Sequence, residues 1–527
     1  MSETATLERI TDPNPSDVGE NAPRACVVGG GFGGLTLACR LQSMGFATTL
    51  IEARDKLGGR AYVYEKNGFK FDGGPTVITD PSCLEEVFAL SGRKLSDYVE
   101  LLPVEPMYRL AWEDGEAFDY FQDTEKLEAE IRRISPDDLE GYRRFYRYSE
   151  SLFKEGYLKL GHVPFLDFWS MLRCAPQLAG LQAQRSVAGR VKDFVKSEKL
   201  RQAFSFHTLL VGGDPHKTSA IYALIHALER KWGVWFPRGG TGALVQGFAR
   251  LFEDLGGQIV IGDPVTEITE SNGKLRTVHT KSGWSADFDA VASNADIVHT
   301  YEKLLGKTPR GRQMGTSLKK KRFSMSLFVA YFATDRKYED VRHHTICFGA
   351  RYKELISEIF SGPKLPDDFS LYLHRPTSTD PGMAPEGHDS WYVLSPVPNL
   401  GKASIDWERE GPRYKERIYQ YLEERYLPDL RKHIVTDHIL TPQGFKDDLG
   451  AHLGSAFSLE PILTQSAFFR MHNRDDEISN LYFTGAGTHP GAGIPGVVGS
   501  AKATARLMAE DFGFETAYGA MEAKATS

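Results

Sequence analysis

The 527-residue sequence predicts an α/β fold: a nucleotide-binding domain on a parallel sheet, interrupted by a mixed α+β insertion. Three observations predict it. Residues 24–52 read as strand, glycine turn, helix and strand in immediate succession. A second glycine turn, Trp235–Gly242, leads into an amphipathic helix and four short strands between Gln258 and Ser293. A third glycine loop follows the strand Asn480–Thr484 and opens a helix to about Asp511.

These pieces lie far apart in the chain, so the nucleotide domain is expected to be discontinuous, over residues 23–105, 236–300 and 476–514. The insertion then occupies residues 106–235 and 301–475. Its first half is expected to be mostly helical, with Ser135-Pro136 as a helix start. Its second half mixes helices with aromatic-rich strands near Phe323–Phe332, Phe369–Leu373 and Trp391–Leu394. Residues 1–22 carry no apolar core and are expected to be a disordered arm rather than a secretory signal. Residues 515–527 are expected to be a flexible tail.

Composition narrows the function. A net charge of −7 argues against nucleic acid as a partner, because phosphate binding needs a basic surface. Five scattered cysteines with no C-x-x-C pair suit a reducing compartment and exclude a cysteine-rich zinc module. No histidine–carboxylate cluster appears at metal-ligating spacing, so no metal is expected. No stretch of 18 apolar residues occurs, so no helix is expected to span a membrane.

The first turn carries the chemistry. Gly29-x-Gly31-x-x-Gly34 sits between strand and helix, with Phe32 and Gly33 completing the turn. Gly29 permits the bend, Gly31 lets a pyrophosphate approach the backbone, and Gly34 lets helix and strand pack closely. Glu52 ends the second strand, 23 residues beyond Gly29, where a carboxylate can accept ribose hydroxyls. This is a Rossmann-like dinucleotide site. The turn alone does not choose between NAD and FAD.

The following residues choose. Arg54-Asp-Lys-Leu-Gly58-Gly59-Arg60, with Phe71-Asp-Gly-Gly74-Pro-Thr76 after it, resembles the R-x-x-x-G-G-R signature of the flavoprotein amine oxidase and desaturase superfamily. The resemblance implies FAD, its pyrophosphate held by Arg54 and Arg60 and its ring approached by Gly58 and Gly59. The C-terminal loop, Thr484-Gly485-Ala486-Gly487-Thr-His489-Pro-Gly-Ala-Gly-Ile-Pro-Gly496-Val497, aims a helix N-terminus back at the flavin. Such a terminus stabilises the negative charge of a reduced ring. Where related flavoproteins often carry an acid, this chain has Ala486.

Together with the runs FPRGGTGALVQGF and LLVGGDP, this loop resembles bacterial-type phytoene desaturases over residues 24–513. That resemblance implies a fold of the glutathione-reductase/amine-oxidase type whose insertion serves as a substrate and membrane-associating domain. It implies successive removal of hydrogen pairs from a C40 polyene, toward lycopene. It places Gly74, Thr76 and Val265 beside the cofactor, with Gly496 and Val497. Peripheral attachment at the cytoplasmic face is expected, with quinone or oxygen as terminal electron acceptor.

Catalytic residues are weakly marked. His489 sits in the flavin-facing loop, and Arg173 and Asp167 are the charges within the apolar stretch Val163–Leu181. His489 is the candidate base for the proton of the reaction, while Arg173 could only fix a partner such as Asp167 or a water. The same stretch, with Phe165, Phe168 and Trp169, is the candidate membrane contact. Three alternatives stay open. An amine oxidase needs a site for a cationic nitrogen, which the sequence does not mark; a carotenoid isomerase differs in giving no new double bonds; a non-enzymatic prenyl-binding relative need not hold FAD.

Overall fold

The computed structural model describes residues 21–166 and 168–526, without the side chains of Phe168 and Ser170. The expected arm therefore lies almost wholly outside the described residues, as does Asp167.

A five-stranded parallel sheet forms the first layer, in the order Leu481–Phe483, Ala290–Ser293, Arg24–Val28, Ala47–Glu52, Gln258–Ile261. Every neighbouring pair is parallel. Its central strand, RACVV, is apolar on both faces, because helices cover one side while the antiparallel strands Val265–Ser271 and Lys274–Thr280 and the segment from Ile297 cover the other. The helix Phe32–Met44 packs between Thr241–Asp254 and Ile494–Asp511. Twelve of its thirteen residues are buried, which explains why its pattern is apolar all round rather than amphipathic. It ends at Gly45, whose φ of +101° closes the helix in a left-handed turn.

The second layer is a mixed seven-stranded sheet, in the order Ile434–Leu440, Ser326–Thr334, Asp389–Val397, Leu371–His374, His344–Phe348, Tyr108–Trp112, Ala117–Tyr120. Ser326–Thr334 is buried at all nine positions, in keeping with its continuous apolar sequence. The last two strands correct the expectation for residues 106–235. That segment begins as a hairpin completing the sheet and becomes helical only from Thr124. Alternating burial at Tyr108, Leu110, Phe118 and Tyr120 was the strand signal.

The expected flexible tail is also corrected. Glu515–Ala525 is a helix. Tyr518 is buried, its hydroxyl accepting a hydrogen bond from Arg40 at 3.0 Å, and Glu522 pairs with Arg506 at 2.8 Å. Burying a side chain of that size contributes roughly 1.5–3 kcal/mol, enough to dock a short helix.

Candidate active site

One cavity of about 1260 Å³ runs from the first glycine turn, between the two sheets, to an apolar mouth at the helix Phe168–Gly180. Of the residues singled out from sequence, Gly29, Gly31, Phe32, Gly33, Glu52, Arg54, Gly58, Gly59, Arg60, Gly74, Thr76, Val265, Ala486, His489, Gly496 and Val497 line it. Gly34, Gly485 and Gly487 do not, and act through packing.

At the nucleotide end, Gly29 takes a φ of +98°. A Cβ on Gly34 would lie 2.0 Å from the Gly29 carbonyl oxygen, so glycine is obligatory where helix meets strand. Glu52 accepts the backbone N–H groups of Gly30 at 2.7 Å and Arg54 at 2.9 Å, which fixes its carboxylate at the cavity wall. The Arg54 guanidinium stacks on Tyr62, 3.8 Å from the ring centre. The helix start at Gly31 has no side-chain cap, leaving its first N–H groups turned to the cavity.

Farther in, Arg60 has a buried Nε with no partner, and Asp296 a buried Oδ2 with none. Burial lowers the Arg60 pKa against the opposing pull of Asp296. An unpaired guanidinium N–H beside a cavity is the donor that a dinucleotide phosphate or a ring carbonyl would satisfy. With the uncapped helix and the Glu52 carboxylate, it makes this end fit FAD.

Two residues missed in the sequence hold the loops together. Asn294 donates to the Gly29 carbonyl at 3.2 Å, and a Cβ on Gly33 would meet its Oδ1 at 2.6 Å. Arg470 is buried and donates to the carbonyls of Thr488 at 2.9 Å and Ala486 at 2.6 Å. A buried cation thus braces the C-terminal loop, and desolvation lowers its pKa. No local pattern marks either residue, because each acts on a turn more than a dozen positions away.

Beyond Gly74 the wall is tyrosine. Thr76 Oγ1 lies 2.6 Å from the Tyr392 hydroxyl and 3.0 Å from that of Tyr372, which in turn meets His344 Nδ1 at 2.6 Å. Behind them His343, His344 and His374 bring ring nitrogens within 4.8 Å of one another. The sequence reading found no such histidine group, because His374 reaches the other two only through strand pairing. Burial keeps all three neutral, lowering His344 to about 3, and raises the neighbouring Asp72 to about 7.

His489 faces the cavity from the C-terminal loop. Its Nε2 bonds the Leu160 carbonyl at 2.9 Å, its ring meets Phe165 edge-on at 4.9 Å, and its Nδ1 has no partner. Burial lowers its pKa to about 4. Arg173 does not join it. It is exposed, and its helix turns Met171, Cys174, Ala175 and Leu178 to the cavity instead, which removes Arg173 from the proton chemistry. Phe165 is likewise corrected, being 4% exposed and packed inward rather than at a membrane.

Comparison with known proteins agrees with this geometry. The profile of flavin-containing amine oxidoreductases matches residues 32–509. A lycopene-forming phytoene desaturase of Pseudescherichia vulneris is 60% identical over 93% of this chain and 99% of its own. Its counterpart in Paracoccus sp. is 58% identical over 93% and 98%. The structure of cyclohexylamine oxidase from Brevibacterium oxydans, 15% identical, superposes with a TM-score of 0.61 over 93% of this chain and all of its own, which shows the shared fold. The chain belongs to the flavin-containing amine oxidoreductase family and, within it, to the phytoene desaturases.

Proposed function

We propose that this enzyme introduces successive double bonds into phytoene to give lycopene, with FAD as its cofactor. The observation that carries the reading is the single cavity joining a dinucleotide cradle to an apolar mouth. The lycopene-forming relatives support it. The experiment is direct: purified protein, FAD and phytoene-loaded liposomes should yield pigment with the visible bands of a longer conjugated system. Unchanged phytoene would overturn the reading.

In this reading Glu52 accepts the ribose hydroxyls, while Arg54, Arg60 and the Gly31–Gly33 amides hold the pyrophosphate. Gly58, Gly59, Gly74, Thr76 and Val265 line the ring's passage, and the loop from Gly485 to Val497 closes it. Bound there, FAD supplies the two-electron acceptor for a hydride. The protein orients the polyene, excludes water and handles one proton per double bond.

His489 takes that proton at Nδ1. Its Nε2–H is committed to Leu160, so Nδ1 is the open lone pair. A pKa near 4 makes it a weak base. The C–H next to an electron-deficient carbon is acidic enough for a weak base to suffice.

Substrate delivery requires a membrane. Exposing a 40-carbon hydrocarbon to water costs roughly 30 kcal/mol, at about 0.8 kcal/mol per methylene. Leu158, Trp169, Leu172, Leu463 and Phe469 are exposed, and Leu463 and Phe469 also line the cavity. This rim docks peripherally on the cytoplasmic face of the bilayer, where a quinone, or oxygen, reoxidises the cofactor. Among the described residues no helix is long and apolar enough to cross a membrane.

A further inference from the structure

We propose that Glu229 is the counter-charge that stabilises, through space, the positive carbon formed when hydride leaves the substrate. The inference rests on the dehydrogenation reading above.

Glu229 lies on the helix Leu224–Trp232, is 0% exposed and lines the cavity. Its neighbours on that wall, Leu224, Ile225, Leu228 and Phe206, are apolar. Burying a carboxylate in such surroundings costs several kcal/mol unless its charge is satisfied. Here Oε1 accepts the Tyr108 hydroxyl at 2.7 Å, and Oε2 meets His207 Nε2 at 2.9 Å. The adjacent guanidinium of Arg230 turns away, to the Phe121 carbonyl and Thr124. The carboxylate is thus fixed by two donors, on a residue that lines the cavity.

The Tyr108 ring lies 5.7 Å from His344, which bonds Tyr372, which bonds Thr76. Through Tyr108, Glu229 is thus linked by a chain of contacts to Thr76 on the cavity wall.

The chemistry calls for a negative charge there. When a C–H bond breaks with both electrons leaving on hydrogen, for transfer to the oxidised flavin, the carbon keeps a positive charge spread over adjoining double bonds. The neighbouring C–H then breaks, its electron pair becomes the new double bond, and the proton goes to the base. Phytoene and its product are neutral, so a carboxylate gains little from binding either. It interacts strongly only with the charged state between them, and in a dry cavity that interaction is weakly screened. Tyr108 and His207 are positioning residues that hold the charge in place.

The test uses the FAD-loaded enzyme and two probes: a twenty-carbon prenyl chain ending in trimethylammonium, and its neutral tert-butyl isostere. Wild type should bind the ammonium at least tenfold more tightly by flavin spectral titration. Glu229→Gln should lose that preference, bind the isostere as before and keep its flavin. Equal binding of the two probes by wild type, or a preference surviving in Glu229→Gln, would overturn the proposal. Should Glu229→Gln not fold, Tyr108→Phe decides, since it leaves the carboxylate less neutralised. Its ammonium preference should persist or grow, and a loss would overturn the assignment. Failure of the dehydrogenation reading looks different: wild type would keep its ammonium preference and yet give no pigment from phytoene.

Discussion

His489 Nε2 bonds the carbonyl of Leu160, a residue 329 positions earlier in the chain, and so ties the flavin-side loop to the segment leading to the cavity mouth. The bond fixes the tautomer. It makes Nδ1 the acceptor, and burial holds the ring neutral down to about pH 4.

His489→Ala should therefore slow anaerobic flavin reduction by phytoene on the order of a hundredfold while FAD remains bound. The wild-type rate should stay level from pH 9 down to pH 5 and fall only below that. An inflection near the ordinary histidine value of 6.5 would assign the proton to another group.

Gly31→Val should empty the flavin site. Even a Cβ at Gly31 would lie 3.0 Å from Asn294 Nδ2, and valine adds two methyls on the pyrophosphate's path. The 450 nm absorbance per protein of a folded variant measures this, and wild-type flavin content would refute it.

Glu52→Gln should weaken FAD binding some ten- to a hundredfold, since a hydrogen bond to a charged group is worth about 1.5–3 kcal/mol. Turnover at saturating FAD should hardly change. A titration giving an unaltered dissociation constant would free Glu52 from the ribose.

Asp72 offers a stability test. Desolvation raises its folded pKa to about 7, against a bond from the Thr241 N–H. A raised pKa means stability that is full below the unfolded value and lost as pH climbs through the folded one. Between pH 5 and pH 8 this loss is roughly 2–3 kcal/mol. Asp72→Asn keeps an oxygen for Thr241 and should remove that part of the pH dependence, read as denaturation midpoints at the two pH values. Parallel shifts in both proteins would mean that Asp72 does not titrate there.

Trp169 and Leu172, exposed three residues apart on one helix, should carry much of the bilayer contact. Replacing both with serine should weaken liposome binding tenfold or more, as each large apolar side chain contributes roughly 1.5–3 kcal/mol. Raising salt should release little wild-type protein, because screening weakens only the electrostatic part. Release by moderate salt would point to a charged contact.

What the sequence made legible was local. The Gly29–Gly34 turn, Glu52 and the Arg54–Arg60 run each need only their immediate neighbours to be recognised, because the geometry they impose is that of one turn. Asn294, Arg470 and Glu229 were not legible. They are ordinary residues whose roles arise from partners over long separations, such as Tyr108 for Glu229 and Gly29 for Asn294. Arg173 differs for the complementary reason: a charge in an apolar run marks either a functional group or an exposed face, and here the helix turns it outward.

The order of strands in the first sheet bears on how the protein is born. Residues 24–52 leave the ribosome early, yet the edge strand Leu481–Phe483 and the helix that covers Phe32–Met44 come hundreds of residues later. At roughly 5–20 residues per second, the nascent half-sheet waits tens of seconds with its outer strand unmatched. Cofactor capture thus waits for the segment Leu481–Val497, and a yellow colour certifies that synthesis ran past it.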